Sequence, residues 1–212
     1  RSFQPDLVCV WNLYGVGGLA MLDLLEQLRI PWVFHLGDNV PNFLVHGIPR
    51  MVAELFLRRD LSVFSAVTAT AISQHVVEEV EDTLGIRFEC PPTIIPGWVD
   101  TRQLGQRQTY MPDGRLRMIS IGSLGKHKGT DIVIDACQDL VSGGLSEFEV
   151  DVFGFGTTGP WVSLAASQGV SGHINFRGPR THAEIMALLP NYDVLLFPTW
   201  SREAYGAVAI EA

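Results

Sequence analysis

Residues 116–144 read LRMISIGSLGKHKGTDIVIDACQDLVSGG. Leu116–Gly122 is a short apolar run and predicts a strand. A glycine-bearing loop with Lys126 and Lys128 follows it. TDIVIDACQDLVS then predicts a helix, closed by Gly143-Gly144. Strand, glycine loop and helix are the repeating unit of an α/β fold with a parallel sheet. At such a junction the free N–H groups of the first helical turn point outward and carry partial positive charge. That geometry holds phosphate, and a lysine beside it adds a full charge. Lys126 and Lys128 are the only lysines in the chain, against 13 arginines. The stretch reads either as a phosphate cradle or as a surface loop with two solvated lysines. It is not a Walker A loop, because Gly-x4-Gly-Lys-Ser/Thr is absent.

Downstream the alternation continues. FEVDVFG (148–154) predicts a strand, GPWVSLAASQG (159–169) a helix and HINFRG (173–178) a short strand. THAEIMALLP (181–190) predicts a helix with a Thr181/Glu184 capping box, stopped by Pro190. YDVLLFPT (192–199) predicts a buried strand, and GAVAIEA (206–212) begins a helix. Gly154, Gly156 and Gly159 spell a literal Gly-x-Gly-x-x-Gly. A dinucleotide fingerprint is disfavoured here. The motif lies on the second strand of its half, Pro160-Trp161 follow it, and Glu184 is already a cap. The reading preferred is that these glycines let the backbone approach a ligand shared with the lysine loop.

SREAYG (201–206) then lies at the C-terminal end of a strand, where ligands of open α/β sheets bind. Glu203 sits in that loop, and Gly206 lets the backbone tighten as the helix begins. Glu211 follows about one and a half turns later, on a face that can look back toward the loop. Val208, Ala209 and Ile210 around it read as buried. The N–H groups of Ala204, Tyr205 and Gly206 make a second anion site between the two carboxylates. Hydroxyls, diphosphate and ribose hydroxyls are the needs of a sugar nucleotide, in that order. Glu203 reads otherwise as an exposed loop acid.

Upstream, PDLVCVWN (5–12), PWVFHLGD (31–38) and SAVTATAIS (65–73) predict strands. GVGGLAMLDLLEQLRI (15–30), PRMVAELFLRRDLSVF (49–64) and SQHVVEEVEDTLGI (73–86) predict helices, the last with Ser73 as N-cap and Gly85 past its end. A proline- and glycine-rich stretch separates this half from the next, with the boundary near residues 97–114. The expected organisation is residues 1–100, a linker over 101–114, and a second α/β domain over 115–212.

With 47% hydrophobic and 18% charged residues, the chain can bury a sizeable core. A net charge of −8 argues against nucleic-acid binding. Within residues 1–100 there are 6 basic and 12 acidic residues, which offers no membrane-docking face. Cys9, Cys90 and Cys137 form no zinc or disulfide pattern, and point to a reducing compartment. RSFQPDLVCVWN has no signal-peptide layout and reads as mid-protein sequence.

The second half resembles the nucleotide-binding domain of retaining GT-B glycosyltransferases, the group called glycosyltransferase family four. IGSLGKHKGTDIVIDA is similar to that family's Gly-Arg-Leu…Lys-Gly loop and helix, and VFGFG to its Gly-x-Gly loop. INFRGPRTHAEIMALLPNYDVLLFPTWSREAYGAVAIEA resembles its segment ending in Glu-x7-Glu-Ala, and IIPGWVD its interdomain IPNGVD. PDLVCVWN, IPWVFHLGD and ATAISQHVVEEV match its first domain loosely. The resemblance implies a GT-B fold, two Rossmann-like parallel-sheet domains, both incomplete in this chain. It implies transfer of a sugar from a UDP- or GDP-linked donor to a glycan or glycolipid hydroxyl, with retention at the anomeric carbon and without a metal or other cofactor. Lys128 would neutralise the diphosphate, aided by Gly122, Ser123, Lys126, Gly154 and Gly156. Glu203 would contact the transferred sugar. Ala204, Tyr205 and Gly206 would bind phosphate or sugar through backbone N–H groups. Glu211 would hold the ribose hydroxyls, and the base would lie near Arg180. Such enzymes work in the cytoplasm, at times peripheral to the inner face of the membrane.

Three departures accompany the resemblance. Ser123 stands where the family has a phosphate-binding arginine, for which Lys126 would substitute. Gly37 stands where members carry a histidine near the acceptor sugar; His35 would substitute, beside Asp38, or would be a packed strand histidine. Third, the pattern is incomplete at both ends, and the chain reads as a piece of a protein of roughly 350–400 residues. The alternatives are a non-catalytic sugar-nucleotide or glycan-binding module, a phosphorylase or epimerase of the same fold, and an NAD oxidoreductase.

Overall fold

The computed structural model describes residues 5–11, 18–41, 62–101, 109–110, 114–200 and 202–212. The chain divides into two compact units, Arg1–Gly97 and Trp98–Ala212. The glycines at 15–17, most of the helix expected over 49–64, most of the 101–114 linker, and Ser201 lie outside the described residues.

In the first unit the described elements are β1 (Val8–Val10), α1 (Gly18–Gln27), β2 (Trp32–Leu36), α2 (Ser62–Ala66), β3 (Ala69–Ala71), α3 (Gln74–Leu84) and β4 (Thr93–Ile94). The strands pair in parallel in the order β1-β2-β3-β4, with Phe34 opposite Ala69 and Thr70 opposite Thr93. Phe34 and Leu36 from β2 are fully buried with Leu22 of α1, Phe64 of α2, and Val76 and Val80 of α3. The Phe34 and Phe64 rings stack 6.0 Å apart. Helix α3 is punctuated as its sequence dictates. Ser73 Oγ accepts the Val76 N–H at 3.3 Å, and Gly85 ends the helix in the left-handed region at φ 66°. Two boundaries differ from expectation. Ser65 and Ala66 belong to α2 rather than to a strand, and Thr93–Ile94 forms a strand between prolines.

The second unit runs β5 (Leu116–Ile121), α4 (Thr130–Ser142), β6 (Phe148–Phe153), α5 (Gly159–Ser167), β7 (Ile174–Gly178), α6 (His182–Leu188), β8 (Val194–Leu196) and α7 (Ala207–Glu211). Its sheet is also parallel, in the order β7-β6-β5-β8. One face packs Met118, Phe148, Val150 and Val152 against Val133, Ile134 and Cys137 of α4 and Ala165 of α5. The other packs Ile119 and Phe153 against Ile185 of α6. Emptying such a site, as in Phe148→Ala, costs about 3–5 kcal/mol. The capping box that starts α6 is complete. Thr181 Oγ1 accepts the Glu184 N–H, and the Glu184 carboxylate accepts the Thr181 N–H at 2.7 Å. Those bonds hold the Glu184 carboxyl below its usual range.

Candidate functional site

The sheet order of the second unit places the site. The chain steps from β5 to β6 on one side and later returns to β8 on the other. The loops after β5 and β8 therefore part at the C-terminal edge, where open α/β sheets bind ligands. A cavity of about 430 Å³ opens there. Ser123, Leu124, Lys128 and Thr130 line it from the β5 side; Phe197, Pro198, Thr199 and Glu203 line it from the β8 side. Arg180 and His182 at the start of α6, and Gly206, Ala207 and Glu211 of the last segment, complete the wall.

The two loops are clamped together. After β5 the chain makes a 3₁₀ turn over Lys126–Lys128, and the Gly125 N–H donates to Thr130 Oγ1 at 3.0 Å. Gly129 follows at φ 72°, and a Cβ there would stand 2.4 Å from the Pro198 carbonyl oxygen. No other residue type fits both the dihedral and the approach. Trp200 Nε1 donates to the Lys126 carbonyl at 2.6 Å, tying the loops from the rim.

Polar side chains then meet at the cavity in pairs. Lys128 Nζ donates to Glu203 Oε2 at 2.5 Å. His182 Nε2 lies 2.8 Å from Glu211 Oε1, with the glutamate side chain 17% exposed and the histidine 71%. Arg180 lies with its guanidinium carbon 5.8 Å from the Phe153 ring centre and donates to the Pro179 carbonyl at 2.8 Å. The N-terminus of α4 abuts the same space through Thr130 and carries partial positive charge. A cation beside a helix N-terminus suits phosphate; two carboxylates suit hydroxyls.

The expected residues divide accordingly. Gly122, Ser123, Lys128, Arg180, Glu203, Gly206 and Glu211 line the cavity. Gly206 takes φ 72° as α7 begins. Ala204 and Tyr205 are not among the lining residues; the wall continues from Gly206 into Ala207. Lys126 does not reach the cavity either. In a three-residue turn positions 126 and 128 face apart, so Lys126 is exposed and its carbonyl serves Trp200. Among the described residues its ammonium group makes no hydrogen bond to Ser123. Ser123 Oγ instead meets His127 Nε2 at 3.2 Å.

A Cβ on Gly154 would stand 1.6 Å from the Gly122 carbonyl oxygen, and one on Gly156 would stand 2.9 Å from Leu124 Cβ. These glycines admit the chain's own 122–124 segment. Gly159 faces open space, so the close helix–strand contact of a dinucleotide fingerprint is missing. Ile210 is 47% exposed and Ala209 is exposed too, so Glu211 does not sit in a buried run.

His35, in the first unit, is only 6% exposed. Its Nδ1 lies 2.8 Å from Thr70 Oγ1, its ring stacks on Trp11 at 4.1 Å, and its Nε2 is buried without a partner. Burial lowers its pKa. It is a packed strand side chain here. Asp38 Oδ1 accepts the Asn39 N–H at 2.7 Å. Sequence reasoning missed His182, His127 and Thr130.

Among the described residues no three His, Cys, Asp or Glu side chains gather to hold a metal ion. No helix among them is long and apolar enough to cross a membrane.

The family model described as "Glycosyl transferases group 1" matches residues 102–212. A D-inositol 3-phosphate glycosyltransferase of Corynebacterium aurimucosum is 24% identical over 232 aligned residues, covering 100% of this chain and 54% of that protein. A Salmonella typhimurium protein assigned to colanic acid biosynthesis as a glycosyltransferase is 30% identical over 117 residues, covering 52% of this chain and 28% of its own length. The chain thus spans about half or less of the curated relatives it matches. Among solved structures, Anabaena HepE in complex with UDP and glucose superposes with a TM-score of 0.69 at 18% identity, covering 98% of this chain and 56% of that one.

Proposed function

The chain belongs to the glycosyl transferases group 1 family, and we propose that its full-length protein moves a sugar from a nucleoside-diphosphate donor to a hydroxyl of a glycan or glycolipid, with retention at the anomeric carbon. The reaction serves polysaccharide, lipopolysaccharide or glycolipid assembly in the cytoplasm, in places at the inner membrane face. The observation that carries this reading is the cavity with Lys128 against Glu203, between the segments after β5 and β8, and His182 of α6 against Glu211 of α7. HepE, whose fold is alike, was crystallised with UDP and glucose, and both curated relatives are named as glycosyltransferases.

The chemistry follows from the residues. The bond between the anomeric carbon and the diphosphate oxygen breaks, and its electron pair leaves with the diphosphate. Lys128 and the N-terminus of α4 offset the charge that develops there, which is the term that lowers such barriers most. Glu203 accepts hydrogen bonds from hydroxyls of the sugar, and Glu211 from those of the ribose. The acceptor oxygen forms the new bond on the face the diphosphate left, and its proton passes to the departing diphosphate oxygen. No metal or resident cofactor enters this scheme.

The test is calorimetric titration of the full-length protein with UDP and GDP, followed by transfer assays with the sugar nucleotide of the base that binds. NMR of the product reads the anomeric configuration. Tight binding of one nucleotide, lost in Lys128→Ala and Glu211→Ala, with an unchanged anomeric configuration, bears the proposal out. Binding without transfer, and without donor hydrolysis, would return a non-catalytic binding module. An inverted product would overturn retention alone.

A further inference from the structure

Glu211 is the most enclosed carboxylate of the cavity, and the group that holds it is a histidine. His182 is the first residue of α6, yet the cap of that helix is built by Thr181 and Glu184 without its ring. At 71% exposure the ring adds little to the core. Among the described residues its ring has one hydrogen-bond partner, Glu211, 29 positions away. That bond engages Oε1 and leaves Oε2 for a ligand, and both residues line the same wall. A glutamate with three rotatable bonds loses side-chain entropy when it is held. If another residue holds it first, the ligand does not bear that loss.

We propose that His182 is a positioning residue. It presents the free oxygen of Glu211 to a vicinal diol and so sets the protein's preference for nucleotides that carry both ribose hydroxyls. The inference rests on the reading of the cavity as a sugar-nucleotide site. A merely structural tie between α6 and α7 would affect every ligand alike. A positioning role affects only ligands that own the diol.

Full-length protein is titrated with UDP, GDP and ADP, and then with the 2′,3′-dideoxy form of whichever binds tightest. Wild type should prefer the ribose form. His182→Ala should raise the Kd of that form about tenfold, as for loss of one charge-assisted contact, and leave the dideoxy Kd in place. His182→Gln, whose amide donates from a similar reach, should restore most of the preference. Equal weakening of both forms in His182→Ala, or an unchanged ratio, overturns the inference and leaves the site reading intact. So does a wild type that binds both forms equally. A wild type that binds none of the three diphosphates overturns the site reading, and the inference with it.

Discussion

Lys128 and Glu203, 75 positions apart in the chain, close an ion pair inside the cavity at 2.5 Å. One lies after β5 and the other after β8, so the pair exists only where the two loops meet. Their side chains are each 30% exposed, which leaves both within reach of an entering ligand. On the proposed function, an entering diphosphate competes with Glu203 for the ammonium group.

Lys128→Ala therefore removes the phosphate partner and leaves Glu203 unpaired. Hydrogen bonds to charged groups contribute about 1.5–3 kcal/mol, so nucleoside diphosphate binding should weaken roughly 10- to 150-fold. Glu203→Gln keeps the shape of the site and should lower sugar transfer by about 100-fold. Its effect on binding of a diphosphate without sugar should be much smaller. Titration calorimetry and initial rates separate the two.

Gly154 admits no side chain. With a Cβ 1.6 Å from the Gly122 carbonyl oxygen, Gly154→Ala must push the β5 loop aside. Overpacking of this kind costs about 1–3 kcal/mol or more, seen as a lower midpoint in urea denaturation of the second unit. Gly159→Ala, at the start of α5 with open space around it, should leave the midpoint unchanged or slightly raised.

His35 makes the first unit sensitive to acid. Its folded pKa lies below the ordinary value of 6.5 because burial disfavours the imidazolium. The unfolded chain then binds more protons than the folded one between the two pKa values, so stability rises with pH. The contribution is complete above about pH 6.5 and is lost as pH falls toward the folded pKa. Thermal melts from about pH 8 to pH 5 should show this loss. His35→Gln should flatten the dependence, although it melts lower throughout.

The three cysteines should differ in reactivity. Cys9 and Cys90 are exposed, whereas Cys137 is 1% exposed and burial pushes its thiol up to about 11. The thiolate is the reactive form. Mass spectrometry after brief maleimide treatment at neutral pH should find labels on Cys9 and Cys90, with Cys137 labelled only after unfolding.

Local pattern made most of the architecture legible, because apolar runs, caps and glycine stops act within a few residues. The strand β4 was not legible. Two exposed residues between prolines carry no alternation, and only their pairing with β3 makes them a strand. Lys128, Glu203 and Glu211 stood out as charges beside glycine-bearing turns. His182 did not, since a histidine in the first turn of a capped helix has no local signal and its partner is supplied by a different helix. Gly154 and Gly156 announced a close approach, but sequence alone does not say to what. The answer, the 122–124 backbone, comes from sheet order.

That sheet order also sets a sequence of events in time. Strands β5, β6 and β7 are neighbours in the order in which they are synthesised, but β8 must return to β5 across everything made in between. Non-local pairing of this kind is slow, and chains emerge from synthesis N-terminus first. The loop bearing Glu203 and the helix bearing Glu211 follow β8. Glu203 and Glu211 thus join Lys128 only after β8 has paired with β5. A ligand that needs both walls finds no partner in any earlier intermediate, so it stabilises only the finished fold.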